Sequence, residues 1–223
     1  MILIAWVLAK VPDYPGQSVH ERMPLRRVFT TPGVRPVLAV VIAWMLAHNI
    51  LYTYIAPFVA PAGLTGRIDL VLLVFGAAAM AGIWITGKLV ERHLRATVLS
   101  SLAMFATTAL VLGLASHMPA VIYAGMAVWG LSFGGAATLL QTALADTAGS
   151  GADVALSMNV VAWNGAIAAA GVVGGALLET WGAGAFPWTM LSLLVLAFVL
   201  AWSACKHGFR PGRRSGNAPA AGH

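Results

Sequence analysis

Two long runs without a charged residue decide what this chain can become. Residues 70–86 contain no Asp, Glu, Lys or Arg, and neither do residues 96–145. Between them lies a dense patch, residues 87–95, holding Lys88, Glu91, Arg92, His93 and Arg95. A soluble domain carries about 25% charged residues, whereas this chain carries 9% and is 60% hydrophobic. Runs of this kind match the roughly 20 residues that a helix needs to cross about 30 Å of hydrocarbon. The chain reads as an all-α polytopic membrane protein, with the patch as a tight turn at one membrane face. Lys and Arg are retained on the cytoplasmic side, which places this turn inside and orients every other span by alternation.

Counting on that basis gives six spans, at about residues 36–60, 69–86, 96–115, 119–145, 154–178 and 187–205. The uncharged run 96–145 counts twice because it is double the length that one span needs, with residues 116–119 as a short outer turn. Twelve of the thirteen Lys and Arg then fall on the inner side, and Arg67 alone lies outside. Both termini are expected in the cytoplasm. Residues 1–9 read as the end of a truncated helix, residues 10–35 as a proline-broken cytoplasmic loop, and residues 206–223 as a disordered basic tail. The net charge of +6 sits in loops beside apolar spans, so it reports topology and anionic headgroups rather than nucleic acid. The single Cys205 excludes an internal disulfide and a cysteine-based metal cluster.

Polar residues inside the spans are the candidates for function. Met45, His48, Asn49, Tyr52 and Ala56 share one helix face. Polar groups at membrane depth face the bundle interior or a wet cavity. His48, Asn49, Tyr52, Gln141 and Asn164 are therefore candidates for a substrate cavity. Each also fits an interhelical hydrogen bond, worth about 0.6 kcal/mol on average. His48 has three readings: a proton-coupling group, a substrate contact, or a neutral ring bonded to a backbone carbonyl. Asn159 and Asn164 cannot face one cavity from a regular helix. The pairs Gly130/Gly134 and Gly171/Gly175 have the spacing that lets a neighbouring backbone approach closely. Trp44, Trp84, Trp129, Trp163 and Trp202 read as packing or lipid-facing residues. The six His are scattered and the acids sit at span ends, so no catalytic cluster, metal site or cofactor site is expected.

The charged turn resembles the loop pattern Gly-x-x-x-Asp-Arg-x-Gly-Arg/Lys of the major facilitator superfamily. Gly87, Arg92 and Arg95 match, Glu91 stands for the Asp, and Leu94 stands for the second Gly. Residues 51–57 resemble the seventh helix of bacterial arabinose-efflux-like sugar and drug permeases. Asn159 and Asn164 match a family Asn-x-x-x-x-Asn-x-Gly pattern, with Gly165 one position early. The resemblance implies one half of a major facilitator fold, helices seven to twelve, with the N-terminal six-helix half or a second copy as partner. It implies that Gly87, Glu91, Arg92 and Arg95 form a loop that bridges neighbouring helices and helps to latch one access state. It also implies a proton-linked efflux transporter of the bacterial inner membrane. A neutral or amphiphilic substrate is expected, because no charged residue lies in the predicted cavity wall. The alternative is a truncated or half-size membrane protein without transport of its own.

Overall fold

The computed structural model describes Trp6, Lys10 and residues 23–212. Most of residues 1–22, expected to hold a helix end and part of a loop, and residues 213–223 of the tail lie outside this set. The described residues form eight α-helices linked by short 3₁₀ turns, with no strand among them. They are α1 (Leu25–Phe29), α2 (Val34–Thr53), α3 (Ile55–Val59), α4 (Ile68–Ala115), α5 (Pro119–Phe133), α6 (Ala136–Ala148), α7 (Ala152–Trp181) and α8 (Phe186–Ser203). Among the described residues, four helical stretches are long and apolar enough to cross a membrane: Val34–Thr53, Thr65–Ala115, Pro119–Trp181 and Ala183–Ser203. Two of them, of 51 and 63 residues, far exceed the roughly 20 that one crossing needs. Each is interrupted, and the interruptions shape the bundle.

The expected tight turn at residues 87–95 is a hinge one residue wide. Helix α4 runs through Gly87 and Glu91, and only His93 leaves helical geometry, at φ −135° and ψ 31°. The chain nevertheless folds back there. Phe75 before the break and Phe105 after it both pack on Trp129, with ring centroids 4.5 and 5.8 Å away. A straight helix would hold those two rings about 45 Å apart. The two limbs of α4 therefore lie side by side. Leu94, at the glycine position of the family pattern, is buried, so an apolar anchor holds the second limb where the pattern has a flexible residue.

Two further breaks have local causes. Pro57 has no N–H for the carbonyl of Thr53, and its ring crowds that carbonyl. The helix accordingly breaks at Tyr54 (φ −110°, ψ 30°) and resumes as α3. The freed Tyr54 side chain crosses to α7, where its hydroxyl donates to the Gly171 carbonyl at 2.6 Å. Its ring lies so close to Gly174 that a Cβ there would sit 2.5 Å from it. Gly134 and Gly135 separate α5 from α6 while staying in right-handed geometry.

Helix α2 is the centre of the bundle. It is buried along most of its length and packs against α6, α7 and α8, while α4 packs against α5, α6 and α8. The other long helices keep broad exposed apolar faces, including Leu73, Met80 and Trp84 on α4 and Val160, Val161 and Val172 on α7.

The expected tail disorder stops short of residues 206–209. These residues form a turn after α8, and Phe209 is fully buried. The Phe209 N–H donates to the Ala204 carbonyl at 3.0 Å, and the Gly208 carbonyl accepts from the Thr147 hydroxyl at 3.3 Å. One aromatic anchor outweighs the Gly- and Pro-rich composition that surrounds it.

Candidate functional site

The candidate site is a cluster of rings built on α2. His48 and Tyr52 lie one turn apart, which places them on one face, and their rings stack at 5.4 Å. The His48 ring lies flat on Phe133 of α5, with centroids 3.6 Å apart and planes at 2°. Trp129, also one turn from Phe133, approaches His48 at 5.2 Å. Phe75 of α4 closes the group at 5.9 Å from His48 and 6.1 Å from Tyr52. The offset and tilted pairs, 5.2–6.1 Å apart, attract one another through their quadrupoles, while His48 and Phe133 meet face to face.

The cluster grades from dry to accessible. Trp129 and His48 are buried, Phe75 and Phe133 are half-buried, and Tyr52 is 46% exposed. It therefore presents an open aromatic surface with Tyr52 at its edge. The His48 Nδ1 is buried without a hydrogen-bond partner, as is the Trp129 Nε1. A proton relay needs a hydrogen-bonded path on each side of the carrier. The geometry of His48 suits a flat packing or stacking ring better than a relay.

The other predicted cavity residues occupy different settings. Asn49 is buried and donates from Nδ2 to the Met45 carbonyl at 2.8 Å. Gln141 on α6 and Asn164 on α7 are exposed, and Asn164 donates to the Val160 carbonyl at 2.8 Å. Asn159, one-and-a-half turns before Asn164, is buried, and its Oδ1 has no hydrogen-bond partner. One cavity, of about 420 Å³, lies between the second limb of α4 and α5, lined by Met104, Thr108, Val121 and Gly125 among others. A second, of about 540 Å³, lies at the His93 hinge. None of His48, Asn49, Tyr52, Gln141 and Asn164 lines either cavity.

The glycine pairs separate in the same way. A Cβ on Gly130 would meet the Phe75 carbonyl, and one on Gly134 the Ala79 carbonyl. A Cβ on Gly175 would meet the Tyr54 hydroxyl at 3.0 Å, whereas one on Gly171 would enter open space. At Gly171 it is the carbonyl that matters, through Tyr54. Phe75, Trp129 and Phe133 were not among the cavity candidates. The available signal was the repeated one-turn spacing of His48/Tyr52 and Trp129/Phe133.

In the charged motif, Gly87 is exposed with open space around it, and Glu91, Arg92 and His93 are exposed. Arg95 bridges helices. Its Nη1 donates to the carbonyls of Ala201 at 2.9 Å and Phe209 at 3.0 Å, and its Nη2 donates to that of Trp202 at 2.9 Å. Arg95 thereby caps the C-terminus of α8, where carbonyls lack intrahelical partners and favour a cation.

A family model described as the Major Facilitator Superfamily matches residues 1–164, most of the chain. The chain belongs to this superfamily. Superfamily members called "Purine ribonucleoside efflux pump NepI", from Escherichia coli strain K12 and from Shigella flexneri, are 28% identical over 155 residues. The matched region covers 66% of this chain and 39% of each relative. The crystal structure of the human organic anion transporter MFSD10 (TETRAN) superposes with a TM-score of 0.65 at 17% identity. That match covers 84% of this chain and 49% of the human protein. The chain thus has a major facilitator fold and spans about half the solved superfamily member, or less of the curated relatives. The curated relatives are, by their names, efflux pumps.

Proposed function

We propose that this chain is the C-terminal, six-crossing half of a bacterial inner-membrane efflux transporter for a neutral or amphiphilic small molecule. In this reading the two limbs of α4, α5 with α6, and the remaining long helices each make one crossing. The observation that carries the substrate reading is the accessible ring surface at Tyr52, Phe75 and Phe133. Such a surface suits a flat, uncharged heteroaromatic ring, and it agrees with the purine ribonucleosides in the names of the relatives. Stacking a base on an aromatic side chain is worth about 1–3 kcal/mol.

Export in exchange for protons remains part of the proposal through family likeness, with coupling groups assigned to the other half rather than to His48. The partner half would cover the exposed face of α7. Val161, Gly165, Ala168 and Val172 follow one another there at helical spacing, and small residues let a second helix approach closely. No chemical change to the substrate enters the proposal.

The test is export of radiolabelled adenosine from cells stripped of their own nucleoside pumps. The chain is expressed together with a complementary N-terminal half. Export above the empty-vector rate is expected, with Tyr52→Ala weakening apparent affinity about tenfold and Tyr52→Phe close to the parent. If the paired halves export no nucleoside, sugar or drug, the reading fails. Topology has its own test in the lone thiol at the end of α8. Cys205 is partly exposed, and both termini are proposed to lie inside. An impermeant maleimide should label it in inverted vesicles and spare it in intact cells; the reverse pattern would overturn the inside placement.

A further inference from the structure

The cavity at the His93 hinge is not used by the transport reading, and its chemistry is specific. Its volume is about 540 Å³. Arg92, His93 and Arg95 line it, together with Ala96, Leu99 and the chain at residues 211–212. Among these described lining residues three are basic and none is acidic. Arg95 is fixed in place by three backbone carbonyls. Those carbonyls are neutral acceptors, so they orient the guanidinium without cancelling its charge. Arg92 is exposed beside it. Ala96 and Leu99 continue the wall one turn further along the second limb, toward the apolar part of the bundle. Cations at the rim with an apolar wall below match a headgroup joined to acyl chains, and basic pockets between membrane helices bind such headgroups.

We infer that this cavity is a binding site for the phosphate headgroup of an anionic phospholipid, held by Arg92, His93 and Arg95 against the turn that follows α8. Guanidinium groups recognise phosphate oxygens through paired N–H donors. Because Arg95 also caps α8, an occupied site would hold the two limbs of α4 and the end of α8 in one arrangement.

Native mass spectrometry of the full 223-residue chain released from detergent tests this. The probes are phosphatidylglycerol, phosphatidylcholine and inorganic phosphate. Phosphatidylglycerol should stay bound under conditions that strip phosphatidylcholine. One cation near an anionic surface is worth about fivefold in binding, so Arg92→Gln should weaken retention about fivefold and Arg92→Glu about twenty-five-fold. Ala96→Phe, at an exposed position, fills the cavity without changing charge and should abolish retention. Arg67→Gln, at the other end of the bundle, should leave retention unchanged. Equal binding by Arg92→Gln, or full binding by Ala96→Phe, would overturn the site in favour of a diffuse basic surface. Displacement by millimolar inorganic phosphate would assign the cavity to a soluble anion and overturn the lipid reading. None of these readouts depends on transport, so they can fail while nucleoside export succeeds.

Discussion

Gly134→Leu should leave no folded protein. The Cβ of any side chain at this position would clash with the carbonyl of Ala79, which belongs to the backbone of α4 and cannot rotate aside. The same seam is used at Gly130 against Phe75 and at Gly82 against Leu131, so the first limb of α4 touches α5 backbone to backbone over two turns. Overpacking against movable side chains costs about 1–3 kcal/mol; forcing two backbones apart costs more and also opens the contacts on either side. Gly134→Ala already places a Cβ against that carbonyl and should lower the thermal midpoint by about 10 °C or more in fluorescence-detected size exclusion. Gly134→Leu should give only aggregate. Gly171→Ala is the matched control, because its Cβ enters open space, and it should melt with the parent chain. A stable, monodisperse Gly134→Leu protein would disprove the α4–α5 seam.

Arg95→Ala carries the second large effect. It removes three hydrogen bonds from a charged donor and a cation 5.6 Å from the centre of the Trp202 ring. Hydrogen bonds to charged groups are worth about 1.5–3 kcal/mol each. The freed carbonyls lie at a helix end, where water replaces part of that, so the net loss is about 3 kcal/mol. For a chain of this size the thermal midpoint should fall by about 10 °C. Arg92→Ala, without those bonds, should stay within about 2 °C. Arg95→Lys should recover only part of the loss, since one ammonium cannot fork across three carbonyls from two helix-end residues and Phe209. Equal midpoints for Arg95→Ala and the parent would show that the cap adds nothing.

These two predictions also mark what the residues announced and what they withheld. The uncharged runs and the basic patch were enough for an all-helical membrane protein, because hydrocarbon tolerates few alternatives; the family came from the resemblance of the charged turn to a known loop pattern. The Gly130/Gly134 spacing pointed to a close approach, and the backbone of α4 lies against it. The same spacing at Gly171/Gly175 carried the same expectation, yet the steric demand falls on Gly174 and Gly175 beneath Tyr54. Spacing alone cannot say which face a neighbour covers. Pro57 accounts for the break in its helix, but nothing in its position says that Tyr54 would swing across to α7. The ring cluster was half legible. His48 and Tyr52 share a face by periodicity, but Phe75, Trp129 and Phe133 join them only through folding over long stretches of chain. The docked turn at Phe209 was hidden for a different reason: a disorder signature averages over composition, while a single buried ring acts alone.

Trp129 has a mechanical consequence. One indole bears on Phe75, Phe105 and His48, so it meets both arms of the α4 hairpin and the central helix at once. Tilting any one of the three would have to drag the other two or open a void around a fully enclosed side chain. In the proposed transport cycle this chain should therefore pivot as a single block, with the give concentrated at its margins, where Tyr54 and His93 already interrupt their helices.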